Sequence, residues 1–307
     1  MKFEERLTAD LLRSGLLAEK PPANMRGRIG QTFSAVALGG LRTLAATFLN
    51  LRAFTAFTEH KWDEVEATYD IIVGLAPRTT YYWESGWHHM AYNAAAACFT
   101  DTSLPLYRRK DEWRTWIYKG KAFLERGIEA NPDDGQLYTD LGFMLSDSNK
   151  FVAFPDPDQC LAAAAEAYRK AAQTGNAMEY VTRARFYALA RVSGGEAEAL
   201  AMARTLYENP RNRTPTLENL LFVLESWEQP ASDATARAIR IFGNEREAYQ
   251  SLSKHWVRTG ERFPVYGVAK AMAELEDRLN LPADQRVSRR PLPPPPDPES
   301  WFEKGDE

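Results

Sequence analysis

Asn131-Pro132, then Tyr138-x-x-Leu141-Gly142-x-x-Leu145, then Ala164-x-x-x-Tyr168-x-x-Ala171 is the stretch whose reading decides the fold. Residues three and four apart share one face of a helix, so Tyr138, Leu141 and Leu145 form a single stripe. Gly142 lies beside that stripe and leaves space for a neighbouring helix to come close. Ala164 and Ala171 are the small partners that let Tyr168 lie across the first helix. One helix supplies bulk and the other supplies room, and Pro132 closes the unit before. The spacing predicts helix-turn-helix units stacked on one another.

The same logic extends upstream. Lys61-Trp62-Asp63-Glu64 opens a helix that carries Val65, Tyr69, Ile72 and Val73 and ends at Pro77. The densest aromatic segment follows, from Tyr81 to Asn93. In helical register Trp83, Trp87 and Met90 share a stripe, and Tyr81, Glu84, His88 and Ala91 share the neighbouring one. Thr100 to Lys110 reads as a polar loop interrupted by Pro105, and Trp113 to Ala130 as the partner helix. Nearer the start, the pattern from Ile29 to about Glu59 is helical, with Leu38, Leu41, Leu44 and Phe48 three and four apart.

Downstream, Met178 to Val192 and Glu196 to Glu208 form another hairpin turned by Ser193-Gly194-Gly195. Thr216 to Trp227, Ala231 to Phe242 and Glu245 to Arg258 continue the helices, and Pro264 to Leu281 caps them. The expected organisation is an amphipathic helix (Phe3 to Leu17) and linker over 1–28, then a helical array over 29–282. Its best repeats span 45–175, with an insertion at 146–158, and 283–307 is a proline-rich tail. The run Arg289-Arg290-Pro291-Leu292-Pro293-Pro294-Pro295-Pro296 is confined to extended geometry and cannot join a helical core. It reads as a stiff spacer or a strand draped over the last helices, or as a docking peptide for an aromatic groove.

At 307 residues, 44% hydrophobic and 26% charged, the chain is long and apolar enough to fold as two domains or one extended array. A net charge of -4 gives no long-range attraction for nucleic acid, which is not expected as a partner. No secretory signal peptide is apparent in Met1-Lys2-Phe3-Glu4-Glu5-Arg6. Thr32 to Leu51 is the best membrane candidate, but Arg42 would cost about 2.5–3.5 kcal/mol at a bilayer centre, so a buried helix pair is expected there and no transmembrane span. Cys98 and Cys160 sit beside alanines and read as reduced, small core residues, which suits the cytoplasm. Peripheral membrane association through the N-terminal helix is the alternative.

Signatures of known chemistry are missing. The four histidines, His60, His88, His89 and His255, do not form His-Glu-x-x-His. Neither Gly39-Gly40 nor Gly194-Gly195 lies in a phosphate-loop frame, and no Gly-x-Ser-x-Gly elbow is present. Glu84 and His88, four apart, could supply two ligands where a metal site wants three or four. No catalytic residue, cofactor or metal is expected.

The units around Pro77, Pro132 and Tyr138 resemble the tetratricopeptide repeat superfamily. More narrowly, Ala37-Leu38-Gly39-Gly40-Leu41-Arg42, Trp62, Leu75-x-Pro77-Arg78, Trp87-His88-x-Met90-Ala91-Tyr92-Asn93 and Arg126-Gly127-Ile128-x-x-Asn131-Pro132 look like a lineage-restricted bacterial group of tetratricopeptide-like proteins. The resemblance covers about residues 30–175 and implies an all-α, superhelical stack of antiparallel helix hairpins. It implies no activity.

The function expected of such a stack is a noncatalytic protein- or peptide-binding scaffold. By the repeat template its groove carries Tyr81, Glu84 and His88 from one hairpin and Gln136, Thr139 and Phe143 from the next, extended by Tyr92 and Asn93. For Tyr92 and Phe143, packing against neighbouring hairpins is the competing role. Two other readings stand beside it. One is a structural subunit of a homomeric or membrane-associated assembly, joined through the N-terminal helix or the tail. The other is a metal-dependent enzyme built on Glu84 and His88.

Overall fold

Three residues, Glu59-His60-Lys61, turn the first described helix back on the second, with His60 at a φ of 56°. The computed structural model describes residues 41–175 and 178–294, and the described residues contain helices and no strand. Helices α1 (Arg42–Thr58) and α2 (Trp62–Leu75) form an antiparallel pair, as so short a link requires. Tyr69 Oη donates to Asn50 Oδ1 across the pair at 3.1 Å.

The face of α1 that packs differs from the sequence expectation. Ala45, Ala46, Leu49, Ala53 and Ala56 are buried, whereas Leu41, Leu44 and Phe48 are 51%, 52% and 64% exposed. Alanine lets two helix axes approach closely, and that stripe takes the interface from the larger residues. Leu38 lies outside the described residues, as do the Phe3 to Leu17 helix and the rest of 1–40. No helix among the described residues is long and apolar enough to cross a membrane.

After Pro77 the chain runs as α3 (Thr80–His88), a wide π-helical turn (His89–Ala94) and α4 (Ala95–Thr100), all packed along α5 (Leu106–Ala130). α5 starts seven residues ahead of the expected Trp113, because Pro105 sets its first turn and Arg108 pairs with Glu112 one turn on at 3.2 Å. Polar residues there disguise helix as loop. The Pro77 carbonyl is a node that accepts from Trp83 Nε1 at 2.8 Å and from Asn131 Nδ2 at 2.9 Å. This ties α3 and the end of α5 to one point and gives Asn131 its role there.

Glycines make the close contacts. A Cβ on Gly120 would stand 2.6 Å from Ala91 Cβ and 2.8 Å from the Ala91 nitrogen, and one on Gly86 would stand 2.5 Å from the Phe123 ring. Helix α6 (Gly135–Ser146) is begun by Asp134, whose Oδ1 accepts from the nitrogens of Gln136 and Leu137. Within α6 falls the division between two compact units: described residues 41–141 with 174–175, and 142–173 with 178–294.

In the second unit the small-for-large exchange read from the sequence is present. A Cβ on Gly142 would stand 2.8 Å from the ring of Tyr168 on α7 (Pro157–Gln173), and Ala164 and Ala171 are fully buried beside it. Then come α8 (Tyr180–Leu189), α9 (Glu196–Glu208), α10 (Pro215–Glu228), α11 (Ala234–Phe242), α12 (Glu245–Arg258) and α13 (Val268–Arg278). Each packs on the next, and α10 also meets α12 as α11 meets α13. Thr214, Asp233 and Asn244 cap α10, α11 and α12 through side-chain oxygens.

The described part of the tail lies over α12 and α13. Buried Glu276 accepts from Ser288 N at 2.8 Å, Ser288 Oγ at 2.5 Å and Tyr249 Oη at 3.2 Å, and Trp256 Nε1 donates to the Arg290 carbonyl at 3.0 Å. Over these residues the tail lies against the last helices in turns and irregular backbone and not as a strand, while 295–307 lie outside the described part.

Candidate functional site

The candidate groove builds from α3 and the first half of α6. Trp83 and Trp87, one turn apart, are both buried, which leaves Tyr81, Glu84 and His88 on the outer side of α3. Trp87 fixes the two helices in register because its indole Nε1 donates to Asp140 Oδ2 at 3.0 Å. Gln136 Nε2 donates to the other oxygen, Oδ1, at 2.7 Å. Asp140 is thereby held half-buried beside Glu84.

Both carboxyls titrate above their ordinary values. For Glu84 the causes are burial first, then repulsion from Asp140 and Asp134. For Asp140 burial outweighs the hydrogen bonds from Gln136 and Trp87, and Asp134 adds repulsion. The site is therefore a partly desolvated negative patch, rimmed by Tyr81 at 56% exposure and by His88. The His88 ring stacks on Tyr92 at 4.9 Å with a 6° interplanar angle. Asn93 Nδ2 meets His89 Nδ1 at 3.1 Å, and burial lowers the pKa of His89.

These raised values carry a sign for stability. A folded carboxyl that binds its proton more tightly than the unfolded one stabilises the fold as pH falls towards its unfolded value, and costs stability as pH rises through its folded value. Asp140→Asn removes one such group. Its urea midpoint relative to wild type is expected to be more favourable at about pH 7 than at about pH 5, the side on which the unpaired charge is repelled. A relative midpoint that moves the opposite way would show Asp140 to be stabilised as the anion.

The expected site residues do not all share the surface. Tyr81, Glu84, His88 and Gln136 do, whereas Thr139 is buried with its hydroxyl donating to the Gly135 carbonyl at 2.8 Å. Tyr92 and Asn93 are half-buried and lie in the π-helical turn. Phe143 is 51% exposed and belongs to the second unit. Sequence reasoning missed Asp140, whose only local signal is the four-residue spacing from Gln136. Among the described residues, no group of three or more His, Cys, Asp or Glu is placed to hold a metal ion. Cys98 is half-buried, and Cys160 is buried with its Sγ donating to the Leu145 carbonyl at 3.4 Å. No family model, curated protein or solved structure matches the chain.

Proposed function

We propose that the chain is a noncatalytic peptide- or protein-binding scaffold of the tetratricopeptide-like kind, and that the α3–α6 groove takes a positively charged segment of its partner. Hairpins that pack on their neighbours within each unit, and the exchange of ring for glycine at Gly142 and Tyr168, support the repeat reading. The observation that carries the ligand class is the pairing of Glu84 with Asp140. Two half-buried carboxyls repel each other, and a lysine or arginine side chain set between them relieves that repulsion while Tyr81 covers its methylene stem.

Selection of random peptides on the purified chain tests this reading. Lysine- and arginine-bearing sequences are expected to be enriched and to weaken as salt is raised. Glu84→Ala with His88→Ala is expected to weaken their binding about tenfold or more, with helical circular dichroism and melting temperature nearly unchanged. Enrichment indifferent to charge, or collapse of the double variant, would return these residues to a packing role.

A further inference from the structure

The second unit holds a cavity of about 420 Å³ between the ends of α8 and α10, the start of α9 and the loop ahead of α13. Its apolar surface includes Leu224, 1% exposed, and Trp227 and Tyr266, 44% and 51% exposed. Of the charged groups that line it, Arg191 faces no carboxylate partner and Glu261 keeps one buried oxygen without a hydrogen bond.

Arg191 spends Nε on the Tyr187 carbonyl at 3.2 Å and one terminal nitrogen on the Ser146 carbonyl at 3.0 Å. Its guanidinium lies 5.3 Å from the centre of the Phe263 ring. Among the described residues no carboxylate comes within ion-pair distance of it. Burial pushes its pKa down to about 10, so the group is a poorly solvated cation at neutral pH. Glu261 has the opposite deficit. Its Oε1 faces Arg262 Nε at 3.3 Å, while Oε2 is buried with no hydrogen-bond partner among the described residues.

With Glu196 and Arg262 also on the wall, the four charges cancel. A lone anion would satisfy Arg191 and leave Oε2 of Glu261 unpaired, and a lone cation would do the reverse. A molecule with both charges answers both deficits, and the aromatic and aliphatic wall suits an apolar side chain. We propose that this cavity binds a small zwitterion with an apolar side chain, its free carboxylate on Arg191 and its free ammonium on Glu261, the chemistry of an amino acid or a dipeptide.

Calorimetric titration of the full chain with L-phenylalanine and with L-leucyl-L-phenylalanine tests this. At least one is expected to bind with a Kd of about 1 mM or tighter, and the tighter of the two identifies the length the cavity accepts. Masking either charge, as the N-acetyl or the C-terminal amide derivative, is expected to weaken binding about tenfold or more. Glu261→Gln should weaken the free zwitterion similarly and abolish its advantage over the N-acetyl derivative. Trp227→Ala, at the exposed rim, should weaken all ligands alike without unfolding the unit. Absence of heat for both zwitterions, or equal binding of the masked forms, would overturn the proposal.

Discussion

Glu276→Ala is expected to destabilise the second unit by about 3–5 kcal/mol, since it removes three hydrogen bonds and leaves their donors without an acceptor at roughly 1–3 kcal/mol each, the low end applying where a donor regains water. Glu276 is completely buried, and the donors it would leave behind, Ser288 N, Ser288 Oγ and Tyr249 Oη, come from the tail and from α12. Those donors regain hydration only if the tail lifts away. The loss should therefore appear first as detachment. In wild type the Arg286 guanidinium is tied to the Leu281 carbonyl at 3.0 Å and to Asp277 at 2.6 Å, so tryptic cleavage after Arg286 is expected to be slow. In the variant, cleavage after Arg286 and Arg289 should become fast, and the urea midpoint should fall. Ser288→Ala keeps the backbone bond and should cost only about 1 kcal/mol. Unchanged cleavage in Glu276→Ala would mean that other contacts hold the tail.

Gly120→Ala is expected to be the most damaging single methyl in the first unit. The added carbon would meet not only Ala91 Cβ but also the Ala91 nitrogen at 2.8 Å and the Trp87 carbonyl oxygen at 3.0 Å, which are backbone atoms of the partner run. Backbone held in a helix cannot swing aside, so α5 must move off, and the cost is about 3 kcal/mol, at the upper end of overpacking. That corresponds to a fall in melting temperature of roughly 6–12 °C. Gly142→Ala provides the contrast. There the obstacle is the ring of Tyr168, a side chain that can tilt, and the gain in helix propensity of about 1 kcal/mol offsets part of the strain. Thermal melts of both variants decide the matter, and an equal or smaller effect at Gly120 would show that the two helices can separate without penalty.

The contrast also marks what the sequence discloses. Small-for-large exchange at Gly142, Ala164, Tyr168 and Ala171 is legible because bulk and room alternate at helical spacing within one short stretch. The turn at Gly194, with its φ of 81°, is legible because few residues other than glycine take that conformation. The face chosen by α1 is not, since alanine is compatible with both an interface and an exposed surface, while leucines draw the eye to the wrong side. Nor is the start of α5, whose first turns are polar. Asp140 was hidden for another reason. Its partner Trp87 lies 53 residues away, and no periodicity links them. The second-unit cavity likewise gathers Arg191, Trp227 and Glu261 from three separate parts of the chain.

The wide turn over His89–Ala94 has a consequence for how such chains vary in length. A π turn accommodates one residue more than an α turn over the same rise, and that surplus sets the phase of everything after it. Ala91, Ala94 and Ala95, all at most 1% exposed, lie across or just beyond this turn. A kindred protein one residue shorter in this rod should lose that residue inside 89–94, where the ladder can relax into ordinary α pitch. In a connecting loop the same deletion would leave the phase of the rod untouched, so an alignment gap in the middle of this helix is physically the sounder placement.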